Sequence, residues 1–441
     1  MVSVINDYHV FLEILYRNNI SNNAYLSYEY YSVLCKYYPP KDFLCFIYEN
    51  HGRVIGILPL VKRKVDYVIL GYRFSNYLGY ICSSENDEEV DAAITDYIRK
   101  EYQNIVITFY DINTREKLFM LLDEDSMSKR VFLYNCPFCD VQDNFDVVFK
   151  RQITKAKKRT ELKKFDRKLN DLGNIQIYDI DSLEKWNLYK QYFEGIFKVH
   201  EDRFSNVYIP KDLCLHKNRE YYSELFVSLV AKGKAYISIM TLDKVVISFV
   251  YSAVYDGIIM DWMPAFDPAF SKYNLGTVHL MHVIEYACGS PIYKQFDFSK
   301  GDGAYKARWS NGNTASYMFV RRYSSKLWAL VKQGIVYIPF LIKGRMREKG
   351  ILKYIKVILG KSNKKHSDSK TSITIVDSFN NVSNALSYAD IVNFDVDDRK
   401  LILDAIYNGD KIFIDKNESD IHVCKFVKEN GNERKNADVS T

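Results

Sequence analysis

The chain has few of the features that would narrow its role at once. Its eight cysteines are scattered over 441 residues, and a single close pair, Cys136-Pro137-Phe138-Cys139, has C-x-x-C spacing. A structural zinc site needs a second half of that kind, and the sequence offers none. A redox pair needs a helix opening at its first cysteine, whereas here Asp140-Val141 follow in strand-like sequence. The pair is therefore read as structural, and the scattered set fits a reducing compartment. His279 and His282 lack a third ligand, so no metal is expected. A large charge of one sign is also missing. The formal net charge is +6, which is mild for this length and does not announce nucleic acid as a partner. No hydrophobic run stands out either. The longest, Leu327 to Ile342, is interrupted by Lys332 and Gln333 and is shorter and more polar than a membrane span requires. The opening MVSVINDYHVFLEILYRN has no basic segment followed by an apolar core, so no secretory signal is expected. These absences together predict a cytoplasmic location.

What is present is ordinary globular composition, 47% hydrophobic and 26% charged, enough for two or three domains. Residues 1–35 read as mostly helical. FLCFIYE and RVIGILPLVKRK flank Asn50-His51-Gly52 as a hairpin. A third strand, VDYVILGY, a helix from Glu88 to Lys100 and a buried strand, NIVITFYDI, complete a first α/β unit. Phe149 to Leu172 contains neither Gly nor Pro, and Lys150 to Lys168 holds ten basic residues against two acidic. It reads as one basic helix, stopped by Gly173 as a glycine after a C-terminus would. The face is either a solvated connector or one turned toward phosphates, a nucleotide, RNA or an anionic membrane.

A second unit follows: a strand at 174–180, helices from Ser182 to Val199 and Glu220 to Leu229, three strands over 234–266, a helix from Gly276 to Cys288, then strands at 295–299 and 316–323. Residues 321–365 carry thirteen Lys or Arg and one Glu with apolar residues interleaved, which suits either packed helices with wet basic faces or a peripheral surface for anionic lipid. After a polar linker at 360–371 the tail turns acidic, with strand-like ITIV, a helix from Asp397 to Tyr407 and a hairpin. The predicted organisation is an α/β (α+β) chain of two mixed-sheet domains, 1–148 and 149–325, a basic helical extension and linker, 326–365, and a small appended module, 366–441.

Two segments carry chemistry. The loop from Pro264 to Thr277 joins a strand to an amphipathic helix. Free N–H groups and the dipole at that helix start favour an anion, and Lys272 adds a charge. Further on, FDFSKGDGAYKARWS (296–310) runs from a strand into a glycine-bracketed turn, then Tyr305, Lys306, Arg308 and Trp309. The alternation of the two cations predicts one face of a strand-like segment, suited to an anionic acceptor or the phosphates of a cofactor. Tyr305 and Trp309 could stack on a base or sugar.

This pair of segments, DPAFSKYNLGT followed by FDFSKGDGAYKARW, resembles the CelD-like acyltransferases of the GNAT superfamily, whose strand–loop–helix and "fDf-rGde-YK-rw" signatures have the same order. RVIGILPL, the basic segment and FKVHEDRF are similar to further parts of that pattern, so the likeness runs over roughly residues 25–325. Gly303 stands where the family has an acid, and Asn274 where proline is frequent. The resemblance implies tandem GNAT-like domains related to the peptidoglycan aminoacyl transferases. It also implies N-acyl transfer from acetyl-CoA or another acyl-CoA to a small amine, an amino-sugar free or nucleotide- or lipid-linked, in surface polysaccharide synthesis. On this chain it assigns the CoA pyrophosphate to Ser271, Lys272, Tyr273, Asn274, Leu275, Gly276 and Thr277, and a backbone N–H near Trp262-Met263 to the thioester carbonyl. Candidate bases are Asp302 first, then His200, Asp261 and Glu201. Tyr305, Lys306, Arg308, Trp309 and Arg203 would line the acceptor. Two other readings remain: an aminoacyl transferase using charged tRNA gripped by the basic helix, and a non-catalytic scaffold on a membrane surface.

Overall fold

The structure is a computed structural model and describes residues 1–18, 20–21, 23–83, 85–204, 216–301, 303–348, 373–375, 392, 394–408, 411–414 and 421–424. The first half runs β1 (Val2–Ile5), α1 (Tyr8–Asn18), α2 (Tyr28–Tyr37), β2 (Phe43–Asn50), β3 (Arg53–Lys62), β4 (Tyr67–Ile69), α3 (Asp87–Glu101), β5 (Val106–Asn113), α4 (Lys117–Glu124) and β6 (Ser128–Asp140). Two helices, α5 (Phe145–Gln152) and α6 (Ala156–Asn170), lead to the second half. It runs β7 (Ile175–Ile180), α7 (Leu183–Tyr189), α8 (Phe193–Phe204), α9 (His216–Val230), β8 (Ala235–Leu242), β9 (Val245–Tyr255), β10 (Ile258–Phe266), α10 (Leu275–Gly289), β11 (Gln295–Asp297), α11 (Ala304–Trp309) and β12 (Gly312–Arg322). A long helix, α12 (Leu327–Glu348), follows, and the tail holds β13 (Ile373–Ile375), α13 (Val396–Asn408), β14 (Lys411–Ile414) and β15 (Ile421–Cys424). The expected linker at 360–371 lies outside the described residues.

Twelve strands form one mixed sheet in the order β1-β2-β3-β4-β5-β12-β6-β11-β10-β9-β8-β7. Each half repeats the same pattern: antiparallel strands, then a parallel pair joined by a helix (β4 with β5, β10 with β11), then a last strand. The last strands are exchanged. β12 lies antiparallel between β5 and β6, and β6 pairs in turn with β11. The mixed α/β architecture expected from the sequence is the one adopted, but the sheet runs unbroken through both halves.

Local chemistry explains the elements. β8 is buried at every position and β9 at all but its first. Such continuous apolar runs belong to strands covered on both faces, here by α8 and α9 on one side and α10 on the other. α10 is correspondingly buried nearly all round rather than on the one face that its spacing predicts. Its His279 is a satisfied core residue, with Nδ1 2.7 Å from Ser248 Oγ and Nε2 3.0 Å from Ser238 Oγ. Cys136 and Cys139 stand three apart in β6, an odd spacing that points them to opposite faces of a strand. Both are buried and free, in different core clusters. The single basic helix predicted over 149–172 is instead two. The chain breaks at residues 153–155, where Arg159 reaches back to the carbonyls of Ile153 (2.5 Å) and Thr154 (2.8 Å). Gly173 is not a left-handed cap. A Cβ there would stand 2.7 Å from the Asp243 carboxylate, which accepts from the Asn174 N–H.

The exchanged strand is pinned by Arg321, which is 3% exposed. Its guanidinium meets Asp91 of α3 at 2.5 Å and Asp125 after α4 at 2.6 Å. Removing one partner of such a buried pair leaves the other charges short of their main counter-ion. Arg321→Ala is therefore expected to destabilise the chain by about 3–5 kcal/mol, read as a lowered urea midpoint.

Candidate active site

The functional geometry begins with a break between two parallel strands. β10 and β11 pair only over Ile258–Met260 and Gln295–Asp297. Beyond Asp297 the chain turns to β6: Phe298 N donates to Pro137 O at 3.0 Å and Gly301 N to Asn135 O at 3.1 Å. β10 meanwhile continues along β9 to Phe266, with a bulge between Asp261 and Met263 that leaves Trp262 out of register. A bulge unpairs one residue's backbone groups and bends the strand. The result is a gap whose β10 edge, from Asp261 to Phe266, is paired on the β9 side alone. The Trp262 ring anchors the bulge, stacked on Tyr251 at 5.4 Å and edge-on to Tyr25 at 5.1 Å, so both halves hold it.

Three buried charges line the gap. Asp261 is 4% exposed, and its Oδ1 has no partner among the described residues. Burial pushes its carboxyl up to about 7, with Lys306 pulling the other way. Ser252, directly across the strand pair from Asp261, has a buried Oγ that is also unpartnered. Facing residues on one side of an antiparallel pair have Cβ atoms about 5 Å apart, so two orphaned polar groups adjoin. Asp297 is fully buried. Burial raises its carboxyl to about 6, against the pull of Arg115 Nη2 at 2.9 Å and the Ser299 N–H at 2.7 Å. Tyr77 reaches the same carboxylate at 3.4 Å from a left-handed backbone, φ 55°, a conformation that costs a non-glycine residue about 1–2 kcal/mol. Lys306 Nζ donates to Phe298 O (2.6 Å) and Lys300 O (2.7 Å), and burial lowers its affinity for the proton while Asp261 and Asp297 oppose that.

The sequence-predicted residues fall into three groups. Asp261, Lys306 and Tyr305 are brought together, since Tyr305 feels the charge of Asp261 and of Arg203. The strand expected around Lys306 is a helical turn, α11, so Lys306 and Arg308 do not share a face: Lys306 is buried beside the gap and Arg308 is exposed. Lys306 therefore neutralises carbonyls and carboxylates of the chain rather than a soluble anion. Trp309 is fully buried and stacks on Phe149 at 5.9 Å, which takes it away from any sugar or base. His200 is buried on α8 with its ring 4.6 Å from Phe204, and burial lowers it to about 4. Glu201 is paired with Arg219 at 3.6 Å. Asp302 lies outside the described residues.

The predicted pyrophosphate loop is the third group, and the tail covers it. Ser271 is exposed, and Asn274 turns the chain at φ 54° into α10, its side chain accepting from the Thr277 hydroxyl at 2.8 Å. Gly276 lies so close to Phe266 that a Cβ would meet the ring at 2.6 Å. Arg203 covers the other side of that ring at 4.6 Å. α13 then packs on the loop. Ile402, Leu403 and Ala405 join Phe270, Tyr273 and Leu275 in one core cluster. Asp404 pairs with Lys272 at 3.4 Å, and Tyr273 donates to Leu403 O at 3.1 Å. Arg399, 1% exposed, joins Asp202 at 2.7 Å and Asp267 at 3.2 Å. Lys168 of the basic helix donates to Tyr407 O at 2.9 Å, the usual service of a cation at a helix C-terminus. α13 is thus docked on the loop.

Several residues of the site had no sequence signal. Arg115 and Tyr77 reach it from distant segments, and Ser252 from the adjoining strand β9. Tyr77 also lines a separate cavity of ≈ 340 Å³ between the halves, whose wall includes Cys82, Asp87, Glu116, Tyr255 and Asp256. Burial raises Glu116 to about 7 and raises Asp87, whose Oδ1 accepts from the Cys82 thiol at 3.0 Å. The buried Tyr255 hydroxyl has no partner among the described residues. No group of three or more potential metal ligands is found among the described residues.

The elevated Asp261 carboxyl has a sign-definite consequence. Between about 4 and about 7 the unfolded chain has released this proton and the folded chain retains it, so stability falls as pH rises through that window. Asp261→Asn lacks the titration. Its melting temperature relative to the parent is expected to be higher above the window than below it, measured by calorimetry across pH.

Residues 156–307 match the family model described as an acetyltransferase (GNAT) domain. Among solved structures the chain is similar to FemX, at 11% identity over 75% of this chain and all of that one, TM-score 0.49. It is also similar to the L-PGS of Bacillus licheniformis, at 13% identity over 74% of this chain and 96% of that one, TM-score 0.45. A tandem GNAT protein from the clavulanic acid biosynthesis pathway is 10% identical over 74% of this chain and all of that one, TM-score 0.37. No curated protein matches the sequence. The acetyltransferase (GNAT) likeness spans β10, α10, β11 and the gap between them, with Asp261, Asp297 and Lys306 inside it.

Proposed function

We propose that this chain moves an acyl group from an acyl-CoA thioester to the nitrogen of a small amine, with Asp261 as general base. The observation that carries the proposal is the gap opened by the Trp262 bulge, with buried Asp261, whose Oδ1 has no hydrogen-bond partner among the described residues, at its edge. An amide-bearing arm such as that of CoA can add to an open strand edge through main-chain hydrogen bonds, and the free edge of β10 from Asp261 to Phe266 offers them. The N–H freed at the bulge is then a donor for the thioester carbonyl as it becomes an oxyanion. The amine attacks the carbonyl carbon, the C–N bond forms, the C–S bond breaks and CoA leaves as a thiolate, which takes up the nitrogen's proton by way of the carboxyl that first received it. The proton lost by the nitrogen goes to Asp261. A carboxyl near 7 is matched to that task at neutral pH, whereas His200, near 4, is a weak base.

The acceptor enters, in this reading, from the carboxylate-walled cavity beside Tyr77, where Glu116, Asp87 and Asp256 favour a cationic amine over an anion. A free amino-sugar or related polar amine fits that chemistry; an acceptor linked to a nucleotide or lipid would have to keep its phosphates outside the carboxylate wall. The reaction supplies surface polysaccharide synthesis and proceeds in the cytoplasm. The donor's pyrophosphate would meet Ser271, Lys272 and the start of α10, which Asp404 and α13 now cover.

Incubation with acetyl-CoA and a panel of amino-sugars, following free thiol and product mass, tests the assignment. A folded protein that binds no acyl-CoA in calorimetry overturns it. Asp261→Asn is expected to lower kcat by about 10²–10⁴ with the donor affinity retained. In the parent, kcat/KM should rise with pH through about 7 as Asp261 loses its proton, and the Asn variant should lose that limb. Asp404→Asn releases Lys272 from its ion pair and is expected to tighten CoA binding by up to about fivefold, measured by titration calorimetry.

A further inference from the structure

α12 presents an apolar stripe that nothing among the described residues covers. Leu327, Val331, Ile335, Ile338 and Ile342 recur at helical spacing, and each is exposed, Leu327 by 76% and Ile335, Ile338 and Ile342 by 53–54%. Trp328 beside them is 70% exposed. Scattered exposed apolar residues need no explanation, but a contiguous stripe of this length marks an interaction surface. The opposite face is firmly held. Ala329 and Val336 are buried, Val336 among Val106, Val131, Met318 and Val320 of the sheet. Gln333 Nε2 donates to Met127 O and Val320 O, both at 2.7 Å, and Lys332 Nζ donates to Asn104 O at 3.0 Å. The helix therefore lies flat along the body with one side out.

The charge around the stripe selects the occupant. No Asp or Glu occurs from Leu327 to Arg347, while Lys326, Lys343 and Arg345 are exposed. The chain from Lys349 to Lys365 adds six lysines and no acid. A second copy on this face would bring like charges together. An anionic bilayer surface accepts both features at once: the apolar stripe enters the acyl boundary, the lysines meet the headgroups, and Trp328 sits at the interface. By length and composition Leu327–Met346 is also apolar enough to cross a membrane. Crossing would strip Gln333 from its two carbonyls and α12 from the sheet, so the fixed face favours the in-plane arrangement.

We propose that α12 docks this chain, flat and peripherally, on an anionic lipid surface. The full-length protein is to be sedimented with vesicles of phosphatidylcholine alone and of phosphatidylcholine with phosphatidylglycerol. Binding to the mixed vesicles only, weakened by added salt and lost in Ile335→Asp/Ile338→Asp, is the expected result. Both positions are more than half exposed, so an unchanged melting curve separates lost docking from lost fold. Equal binding to neutral vesicles, anionic binding unaffected by the double substitution, or a concentration-dependent dimer in light scattering that the substitutions abolish would each overturn the proposal. Pelleting that persists after a high-pH carbonate wash would overturn the peripheral geometry. None of these readouts depends on acyl transfer, so the outcome stands apart from the proposed activity.

Discussion

The exchange of last strands is the constraint on which the rest of the structure depends. β12 leaves the second half to sit between β5 and β6, and β6 thereby becomes the neighbour of β11. A non-local pairing of this kind costs loop entropy, which the ladder hydrogen bonds and the Arg321 ion pairs to Asp91 and Asp125 offset. The consequence for function is direct. Once β6 runs beside β11, the chain after Asp297 has a partner to follow other than β10, and the two parallel strands can separate. The gap exists because β6 draws β11 away while β9 keeps β10.

That gap is electrostatically dry. Asp261, Asp297 and Lys306 are all buried, and charges removed from water interact more strongly than on a surface. Their proton affinities move in the directions burial dictates, carboxyls up and ammonium down. Arg115 and Tyr77 come from the first half to hold Asp297, and Tyr25 helps to fix Trp262. Both halves thus build one site, although the atoms of the bulge belong to the second.

The acidic tail and the basic segments are complementary parts of the same surface. α13 offers Asp404 to Lys272 and inserts Arg399 between Asp202 and Asp267, while Lys168 closes its C-terminus. Lys272, which made the loop before α10 attractive to an anion, is therefore already paired with an anionic side chain. On another face α12 keeps its apolar stripe and lysines outward.

Much of this was legible in the sequence because it depends on local patterning. The hairpin turns, the apolar strands 235–266, the helix after the 264–277 loop and the α13 helix all follow from periodicity and from turn residues. The loop and the FDF segment were recognisable as belonging together, and Asp261 and Lys306 were among the residues singled out. What periodicity could not reach was contact between distant segments. Lys306 and Arg308 alternate like strand residues, but a six-residue helix is too short for a periodic pattern, and burial then sent Lys306 inward and left Arg308 in water. The resemblance puts Asp302, in the signature turn, first as base, and that residue lies outside the described ones. Asp261 has a geometric case, because the bulge leaves it beside the gap, and burial, with Asp297 nearby, raises its carboxyl toward neutrality. By itself the sequence determined the elements, their order and the residue types available for acyl transfer. The tertiary structure alone decided which strands separate, which charges are buried and what covers the loop, since each arises from pairing between residues far apart in the chain.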